Sequence, residues 1–246
     1  MDITILYEDD DIVAMDKPSG LMTHPDGRTK DMTASDWFAK TYPASSTVGE
    51  TQRLQNGTEI LRPGVVHRLD TDTSGVLIFA KTTEAHTFYK DVFQNHTAKK
   101  TYLAFVYGVP KEKKGIVEFS IGRSAQDFRL RSAQPKAKGT LREAITKWEV
   151  ISDIKTHSLM RVMPETGRTH QIRVHLKAIH HPIVCDPLYA PKHPHNLGFT
   201  RLGLHAYQLS VPLLHGGDIT LTSPVPADLT PALKKFPNTE EFLASN

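Results

Sequence analysis

Apolar and polar residues alternate along several short stretches of the chain, and this period of two predicts β-strands. The stretches ITILYED and DIVAMDKP alternate around an acidic turn and therefore predict a hairpin. GVLIFAKT is apolar on both faces, which is typical of an interior strand, and KKTYLAFVYGVP predicts another alternating strand. Further strands are predicted at 115–121, 142–151, 157–163, 204–211 and 218–223.

Helical spacing of apolar residues occurs in fewer places. MTASDWFAKTY predicts a short helix capped by Thr33, and residues 83–96 carry apolar side chains on one helical face. GRTHQIRVHLKAIHH places Ile172, Leu176 and Ile179 on one helical stripe. Because strands outnumber helices and do not alternate regularly with them, the pattern predicts an α+β fold with a large mixed, mainly antiparallel sheet flanked by helices and loops.

Two segments are too polar for such patterns. Residues 44–64 are rich in Ser, Thr, Gly, Asn and Gln and predict a long surface loop. Residues 123–142 contain six Lys or Arg against one Asp, although the net charge of the whole chain is only +3. This basic stretch suits a mobile arm along a phosphate backbone, and the alternative is a solvated hairpin loop.

Composition limits the class of protein. The 246 residues are 39% hydrophobic and 23% charged, which is ordinary for a soluble globular protein. No apolar run approaches the roughly 18 residues of a membrane span, and the acidic N-terminus does not resemble a signal peptide. The single cysteine, Cys185, excludes an internal disulfide and a multi-cysteine zinc site, so we expect a cytoplasmic protein.

The stretch RPGVVHRLDTDTSGVLIFAKT places a carboxylate between two apolar segments. Asp70 ends one of them and is followed by Thr73, Ser74 and Gly75, which suits a carboxylate held at a strand end by a tight turn. A buried carboxylate needs a partner, and Arg173 on the predicted 169–179 helix would keep it ionised as a nucleophile or base. The alternative is that Asp70 only caps the turn while Arg173 lies in water.

Tyr102 and the histidines are the other candidates for chemistry. Tyr102 is either ordinary strand packing or a side chain that stacks on a base or exchanges a proton. His170 and His175 are five residues apart, whereas a helical metal pair needs a spacing of four, so we predict no metal site. The Gly-rich loops of dinucleotide-binding proteins and NTPases, and the nucleophile elbow of serine hydrolases, are not found in the sequence.

Three segments in order, RPGVVHRLDTDTSGVLIFAKT, KKTYLAFVYG and GRTHQIRVHL, resemble the RluA-type pseudouridine synthases. The opening ILYEDDDIVAMDKPSGL and the late CDPLYA and LHAYQLSV also resemble that family, so the likeness covers about residues 3–226. It implies a single catalytic domain over 1–246, a short C-terminal tail at 237–246, and an active-site cleft across the sheet. Many relatives begin with an S4 RNA-binding domain, and this sequence starts at the first catalytic strand, so we expect the domain's own loops to choose the target.

The resemblance also implies roles for individual residues. Asp70 matches the catalytic aspartate, Tyr102 the active-site tyrosine, and Arg173 the arginine that pairs with the aspartate. Arg68 matches an arginine that inserts into the nucleic-acid stack when the uridine leaves it. RNA contacts are expected from His67, Arg68, Arg168, Arg129, Arg131, Lys136 and Lys138.

The implied reaction replaces the N1–C1′ bond between uracil and ribose by a C5–C1′ bond in the same nucleotide, so we expect no cofactor and no metal. Expected partners are ribosomal or transfer RNA, with no membrane and no obligate protein partner, and the chain is expected to be a monomer. Two departures from the family pattern are Cys185, where glycine is common, and Thr71, where lysine is frequent. Two further hypotheses are an RNA-binding protein with little isomerase activity and a metal-dependent hydrolase built on the histidines.

Overall fold

The computed structural model describes residues 3–27, 31–53, 57–124, 130–133, 135, 137–194 and 197–244. The strands are β1 (Thr4–Glu8), β2 (Ile12–Lys17), β3 (Gly49–Arg53), β4 (Glu59–Pro63), β5 (Ser74–Ala80), β6 (Lys99–Tyr107), β7 (Lys114–Val117), β8 (Ile121–Ser124), β9 (Arg131–Ala133), β10 (Ala137–Arg142), β11 (Thr146–Ile154), β12 (His157–Pro164), β13 (Leu204–Pro212) and β14 (Asp218–Thr222). The helices are α1 (Ala34–Thr41), α2 (Thr83–Gln94), α3 (Gln171–Ala178), α4 (Thr230–Leu233) and α5 (Thr239–Ala244), with a 3-10 turn at Pro43–Ser45.

The chain divides into two compact units. The first comprises residues 1–99 and 208–224, and the second comprises residues 100–207 and 225–246. The abundance of strands and the irregular order of strands and helices confirm the predicted α+β class. Whether residues 1–246 act as one catalytic domain stays a prediction.

The first unit is built around β5, which is buried at every position. The strands β1, β2 and β5 pair antiparallel in that order, and β14 pairs antiparallel with residues 208–212 of β13. On one face of β5, Phe79 stacks on Phe38 of α1 with ring centroids 5.0 Å apart. On the other face, Ile78 shares an apolar cluster with Ala85 and Tyr89 of α2. Both faces of this strand are therefore covered by helices, as its continuous apolar sequence predicted.

Residues 44–64 contain a β-hairpin, so the prediction of a long surface loop in this segment is wrong. Strands β3 and β4 pair antiparallel from Gly49 opposite Pro63 to Arg53 opposite Glu59. Most of their side chains are exposed or half-buried, so no apolar alternation marks them in the sequence. The two strands are paired through their backbones, and their exposed side chains are mostly of polar types that are also common in loops.

The second unit contains β6, β12, β11 and β7, which pair antiparallel in that order. Alternate residues of β6 face two different apolar clusters. Ala104 and Val106 pack with Ile172 and Leu176 of α3, as the helical stripe predicted. Leu103 and Phe105 instead pack with residues of α4 and with Phe236. The predicted tail at 237–246 contains α5, whose Phe242 packs against the second of these clusters.

The basic stretch 123–142 is not an extended arm where the structure describes it. Strands β8, β9 and β10 form a three-stranded antiparallel sheet in the order β10-β8-β9. Arg129 and Lys136, both predicted to contact RNA, lie outside the described residues. No helix in the described part of the chain has the length and apolar composition that crossing a membrane requires.

Candidate active site

The loop that carries Asp70 lies between β4 and β5 in the first unit and is fixed by a buried lysine. The side chain of Lys17, at the end of β2, is fully buried. Its Nζ donates hydrogen bonds to the carbonyls of Pro18 at 2.9 Å, Leu21 at 2.7 Å and Thr71 at 3.0 Å. Because burying an ammonium group without such acceptors is very costly, the three carbonyls and the lysine hold one another in place. The residue directly after Asp70 is thereby tied to the end of β2.

Further hydrogen bonds fix the backbone on the other side of Asp70. Thr23 Oγ1 accepts from the backbone N–H of Leu69 at 3.2 Å and donates to its carbonyl at 2.9 Å. The backbone N–H of Thr73 donates to the carbonyl of Asp70 at 3.1 Å, which closes the predicted tight turn. Asp70 itself is half-buried. Its carboxylate therefore projects from a backbone segment whose neighbours are hydrogen-bonded on both sides.

Arg68 is exposed, and one of its nitrogens, Nη1, lies 3.3 Å from Nε2 of His24. The other ring nitrogen of His24 lies 2.9 Å from the carbonyl of Pro25, which can only accept, so we assign the proton to Nδ1. Burial, with smaller contributions from the charges of Arg62 and Arg68, lowers the pKa of His24 to about 4. The imidazole is therefore neutral at neutral pH, and its Nε2 accepts a hydrogen bond from Arg68.

His67 makes contacts within the protein. Its Nε2 accepts a hydrogen bond from the backbone N–H of Ile78 at 3.0 Å. The ring stacks on Phe93 with centroids 4.3 Å apart and an angle of 12° between the planes. These contacts place His67 as a support for the start of the Asp70 loop, and its contact with RNA stays a prediction.

Tyr102 and α3 lie together in the second unit. Tyr102 on β6 is opposite Val162 of β12 and packs against the cluster that contains Ile172 and Leu176. The predicted active-site tyrosine is therefore on the sheet face that α3 covers. It is half-buried, which leaves part of the ring accessible.

Arg173 of α3 forms a buried ion pair with Asp186. Its Nε donates to Oδ2 and its Nη2 to Oδ1, both at 2.8 Å, and the two side chains are only 4% and 0% exposed. Asp186 Oδ1 also accepts the backbone N–H groups of Leu188 and Tyr189, and the guanidinium lies 5.1 Å from the centre of the Tyr189 ring. The bidentate geometry fixes the plane of the guanidinium. The pairing of Arg173 with Asp70 stays a prediction.

The loop before α3 is organised by one buried glutamine. Gln171 Oε1 accepts from Thr166 Oγ1 at 2.7 Å and from the backbone N–H of Arg168 at 2.9 Å. Its Nε2 donates to the carbonyl of Ile145 at 2.9 Å and to Thr146 Oγ1 at 3.0 Å. The side chain of Arg168 is half-buried, and its Nε donates to the carbonyl of Glu143 at 2.9 Å. These bonds fix the turn that presents Arg168.

The described residues of the basic stretch are only partly engaged. The backbone N–H of Arg131 donates to the hydroxyl of Tyr189 at 3.0 Å, and the side chain of Arg131 is half-buried. Lys138 is exposed. Their contact with RNA stays a prediction, and the small sheet gives both residues a fixed backbone.

Histidines near α3 have structural partners. His175 is fully buried between Thr146 Oγ1 and the carbonyl of Phe119, both at 2.9 Å, and burial lowers its pKa. His170 Nδ1 lies 3.0 Å from the hydroxyl of Tyr189. Among the residues that the structure describes, no three His, Cys, Asp or Glu side chains are grouped as metal ligands.

Several functional side chains were not found from the sequence. Lys17 and Thr23 stabilise the Asp70 loop from the segment at and after the end of β2. Gln171 and Asp186 were not proposed as supports of Arg168 and Arg173. The available signals were the lysine at the end of an apolar strand and the acid within CDPLYA, and neither identifies its partner without the fold.

Comparison with known proteins assigns the family. Residues 11–178 match the RNA pseudouridylate synthase family. An uncharacterised RNA pseudouridine synthase of Synechocystis is 39% identical over 228 residues, which cover 92% of this chain and 66% of the relative. The ribosomal large subunit pseudouridine synthase D of Nitrosomonas europaea is 35% identical over 243 residues, covering 96% of this chain and 66% of the relative. The chain therefore spans just under two thirds of the length of each of these relatives.

A solved structure gives the same result for the fold. Human RNA pseudouridylate synthase domain containing 1 matches with a TM-score of 0.74 at 21% identity, over 99% of this chain and 94% of that one. The chain has the pseudouridine synthase fold and belongs to the RNA pseudouridylate synthase family, whose members are isomerases that convert uridine in RNA to pseudouridine. This confirms the resemblance found in the sequence, and it does not favour the alternative of an RNA-binding protein with little isomerase activity.

Proposed function

We propose that this protein is an RNA pseudouridine synthase in which Asp70 is the reactive group. The N1–C1′ bond of the target uridine breaks, the uracil turns within the site, a C5–C1′ bond forms, and C5 loses a proton while N1 gains one. Asp70 starts the reaction either by attack at C1′ or by removing the proton from C2′. Nothing is oxidised or reduced. The observation that carries the proposal is the fixing of the Asp70 loop by Lys17 and Thr23 in a chain of this family.

The other predicted residues have supporting roles in this proposal. Tyr102 contacts the uracil and takes part in the proton transfer, and Arg173 is assigned as the partner of Asp70. Arg68 occupies the gap that the extruded base leaves, since unstacking a base costs a few kcal/mol. The planar, charged guanidinium of Arg68 suits stacking between bases, and its exposure leaves it accessible to RNA.

For the substrate we propose ribosomal RNA, with transfer RNA as the second candidate. Relatives named as ribosomal large subunit pseudouridine synthases support the first choice. A ribosomal target implies that the protein acts in the cytoplasm. We also propose that it acts as a monomer without an obligate protein partner. Pseudouridine maps of total RNA from cells with and without the protein test the substrate, and an identical map would contradict the proposal.

The role of Asp70 is tested with Asp70→Asn, which keeps the shape of the side chain and removes its charge. We expect pseudouridine formation to fall by at least about a thousandfold, because a nucleophile or base is lost. The reaction is followed as tritium released from C5-labelled uridine in transcribed large-subunit ribosomal RNA. Binding of the same RNA is expected to change by less than about twofold, because the backbone that holds position 70 remains.

Asp72→Asn is the matched control, because Asp72 lies in the same turn and only its backbone carbonyl has a described role, as the acceptor from Ser19. We expect this variant to keep the turnover of the wild type. Thermal melting of both variants shows whether either one is misfolded. Full turnover in folded Asp70→Asn protein would overturn the proposed mechanism.

A further inference from the structure

Lys100 shares a face of β6 with Tyr102. The alternation of the strand places Ala104 and Val106 in the cluster beneath α3, and Tyr102 packs against the same cluster. Lys100 precedes Tyr102 by two residues, so the two side chains leave the same face about 6.6 Å apart along the strand. That separation is comparable with the distance between the base of a nucleotide and its own phosphate.

The ammonium of Lys100 is poorly compensated in the protein. Its side chain is half-buried, and among the described residues the hydrogen bond of Nζ runs only to the carbonyl of Thr166 at a long 3.4 Å. No carboxylate in the described part of the chain forms an ion pair with it. Glu165, next to Thr166, pairs with Lys147 instead. A desolvated cation without an acid is unfavourable, and such positions often mark a place for an anionic ligand.

A second cation lies on the loop that carries Thr166. Arg168 is two residues beyond Thr166, and its backbone is fixed by the bond to Gln171. Its charge disfavours the charged form of Lys100, as burial does to a larger extent. Two cations that repel each other, one on β6 and the other on a loop that Gln171 holds in place, are stabilised when an anion lies between them.

We propose that Lys100 and Arg168 bind a phosphodiester group of the RNA strand beside Tyr102. Lys100 is then a positioning residue that fixes the backbone of the nucleotide whose base contacts Tyr102. This inference rests on the proposed function, because it takes RNA as the ligand. It adds a residue that the motif assignments do not include and gives Arg168 a specific partner.

The site has a characteristic response to pH. Burial, with a smaller contribution from the charge of Arg168, lowers the pKa of Lys100 to about 8. Below that pH the lysine is charged and binds phosphate, and above it the lysine is neutral and does not. RNA affinity is therefore expected to fall several-fold between about pH 7 and pH 9. Lys100→Arg is expected to remain charged and to show no such fall, because arginine keeps its proton throughout this range.

The test measures binding of transcribed, unmodified large-subunit ribosomal RNA, with all proteins also carrying Asp70→Asn so that the RNA is not converted. The dissociation constant is measured against salt concentration. For Lys100→Met we expect the slope of log affinity against log salt to fall by about 0.7–0.9, which is the change for one lost phosphate contact. Lys100→Arg is expected to keep the slope.

Lys99→Met is the matched control, because Lys99 is exposed and its side chain leaves the opposite side of β6. We expect it to keep both the salt slope and the fall in affinity with pH. If Lys100→Met binds this RNA with the slope and pH response of Lys99→Met, the inference is wrong while the proposed function stands. If the otherwise unaltered protein neither binds nor modifies ribosomal or transfer RNA, the proposed function fails first.

Discussion

Cys185 is held in a backbone conformation that suits glycine better than cysteine. Its φ is +57°, in the left-handed region that disfavours residues with a Cβ atom. The residue is buried, its Sγ lies 3.2 Å from the carbonyl of Phe199, and the next residue is Asp186, the partner of Arg173. The glycine that is common at this position in the family therefore has a physical reason. In this chain a cysteine occupies the left-handed position.

This conformation leads to a prediction about two substitutions. At most positions Ala is more favourable than Gly, whereas at positive φ the order reverses by about 1 kcal/mol or more. We expect Cys185→Gly to be at least as stable as Cys185→Ala, although both lose the packing of the sulfur. Urea denaturation of the two variants checks the order. A clearly more stable alanine variant would show that position 185 is not held at positive φ in solution.

At the scale of elements, α1 depends on its N-terminal cap. Thr33 Oγ1 accepts from the backbone N–H of Asp36 at 3.2 Å, and the Asp36 carboxylate accepts from the backbone N–H of Thr33 at 2.9 Å. Both bonds satisfy donors that a helix start leaves without a partner inside the helix. The cap also sets the position of Phe38, which is fully buried against β5.

Thr33→Ala is therefore expected to lower the free energy of unfolding by about 1 kcal/mol. Thr41→Ala is the control, because Thr41 is exposed at the other end of the same helix and the change there is expected to be small. The urea midpoints of the two variants, followed by circular dichroism, test the difference. Equal midpoints would mean that the capping box contributes nothing measurable to the first unit.

Elements with an apolar face could be predicted from the sequence, and elements without one could not. The cap and amphipathic pattern of α1, the interior strand β5 and the stripe of α3 all follow from the burial that their side chains require. The side chains of the β3–β4 hairpin are exposed or half-buried, so its strands show no alternation of apolar and polar residues. The small sheet of β8, β9 and β10 could not be predicted from the sequence for a similar reason, since β10 is almost wholly exposed.

At the scale of the whole molecule, the sequence motifs identified reactive groups but not most of their supports. The turn at Asp70 follows from local residue types, because Thr73 and its neighbours are close in the chain. Lys17 is more than fifty positions away from the carbonyl of Thr71 that it holds. Asp186 is likewise separated from Arg173 by a loop. Such pairs are brought together by the fold, so hydrophobic periodicity and local turn signals in the sequence do not predict them.

Each unit contains a buried histidine that makes its free energy of unfolding decrease at acidic pH. Burial lowers the pKa of His24 in the first unit to about 4, and it lowers the pKa of His175 in the second unit as well. In the unfolded chain both groups return to the ordinary value of about 6.5. Between these pH values the unfolded chain binds more protons than the folded one. The stabilisation is therefore complete above about pH 6.5 and is lost as the pH falls towards 4.

We expect the free energy of unfolding to fall by roughly 1–2 kcal/mol for His24 alone between about pH 7 and pH 5, after allowance for solvent screening. His24→Gln removes this titration and is expected to flatten the dependence, whereas His180→Asn, at an exposed position, leaves it unchanged. Urea unfolding at several pH values in this range measures the pH dependence of stability for both variants. Glu8, paired with Lys81, and Glu50, paired with Lys90, have lowered pKa values and titrate below this range. A slope that His24→Gln leaves intact would mean that His24 binds protons equally in the folded and unfolded chain, so that burial does not lower its pKa.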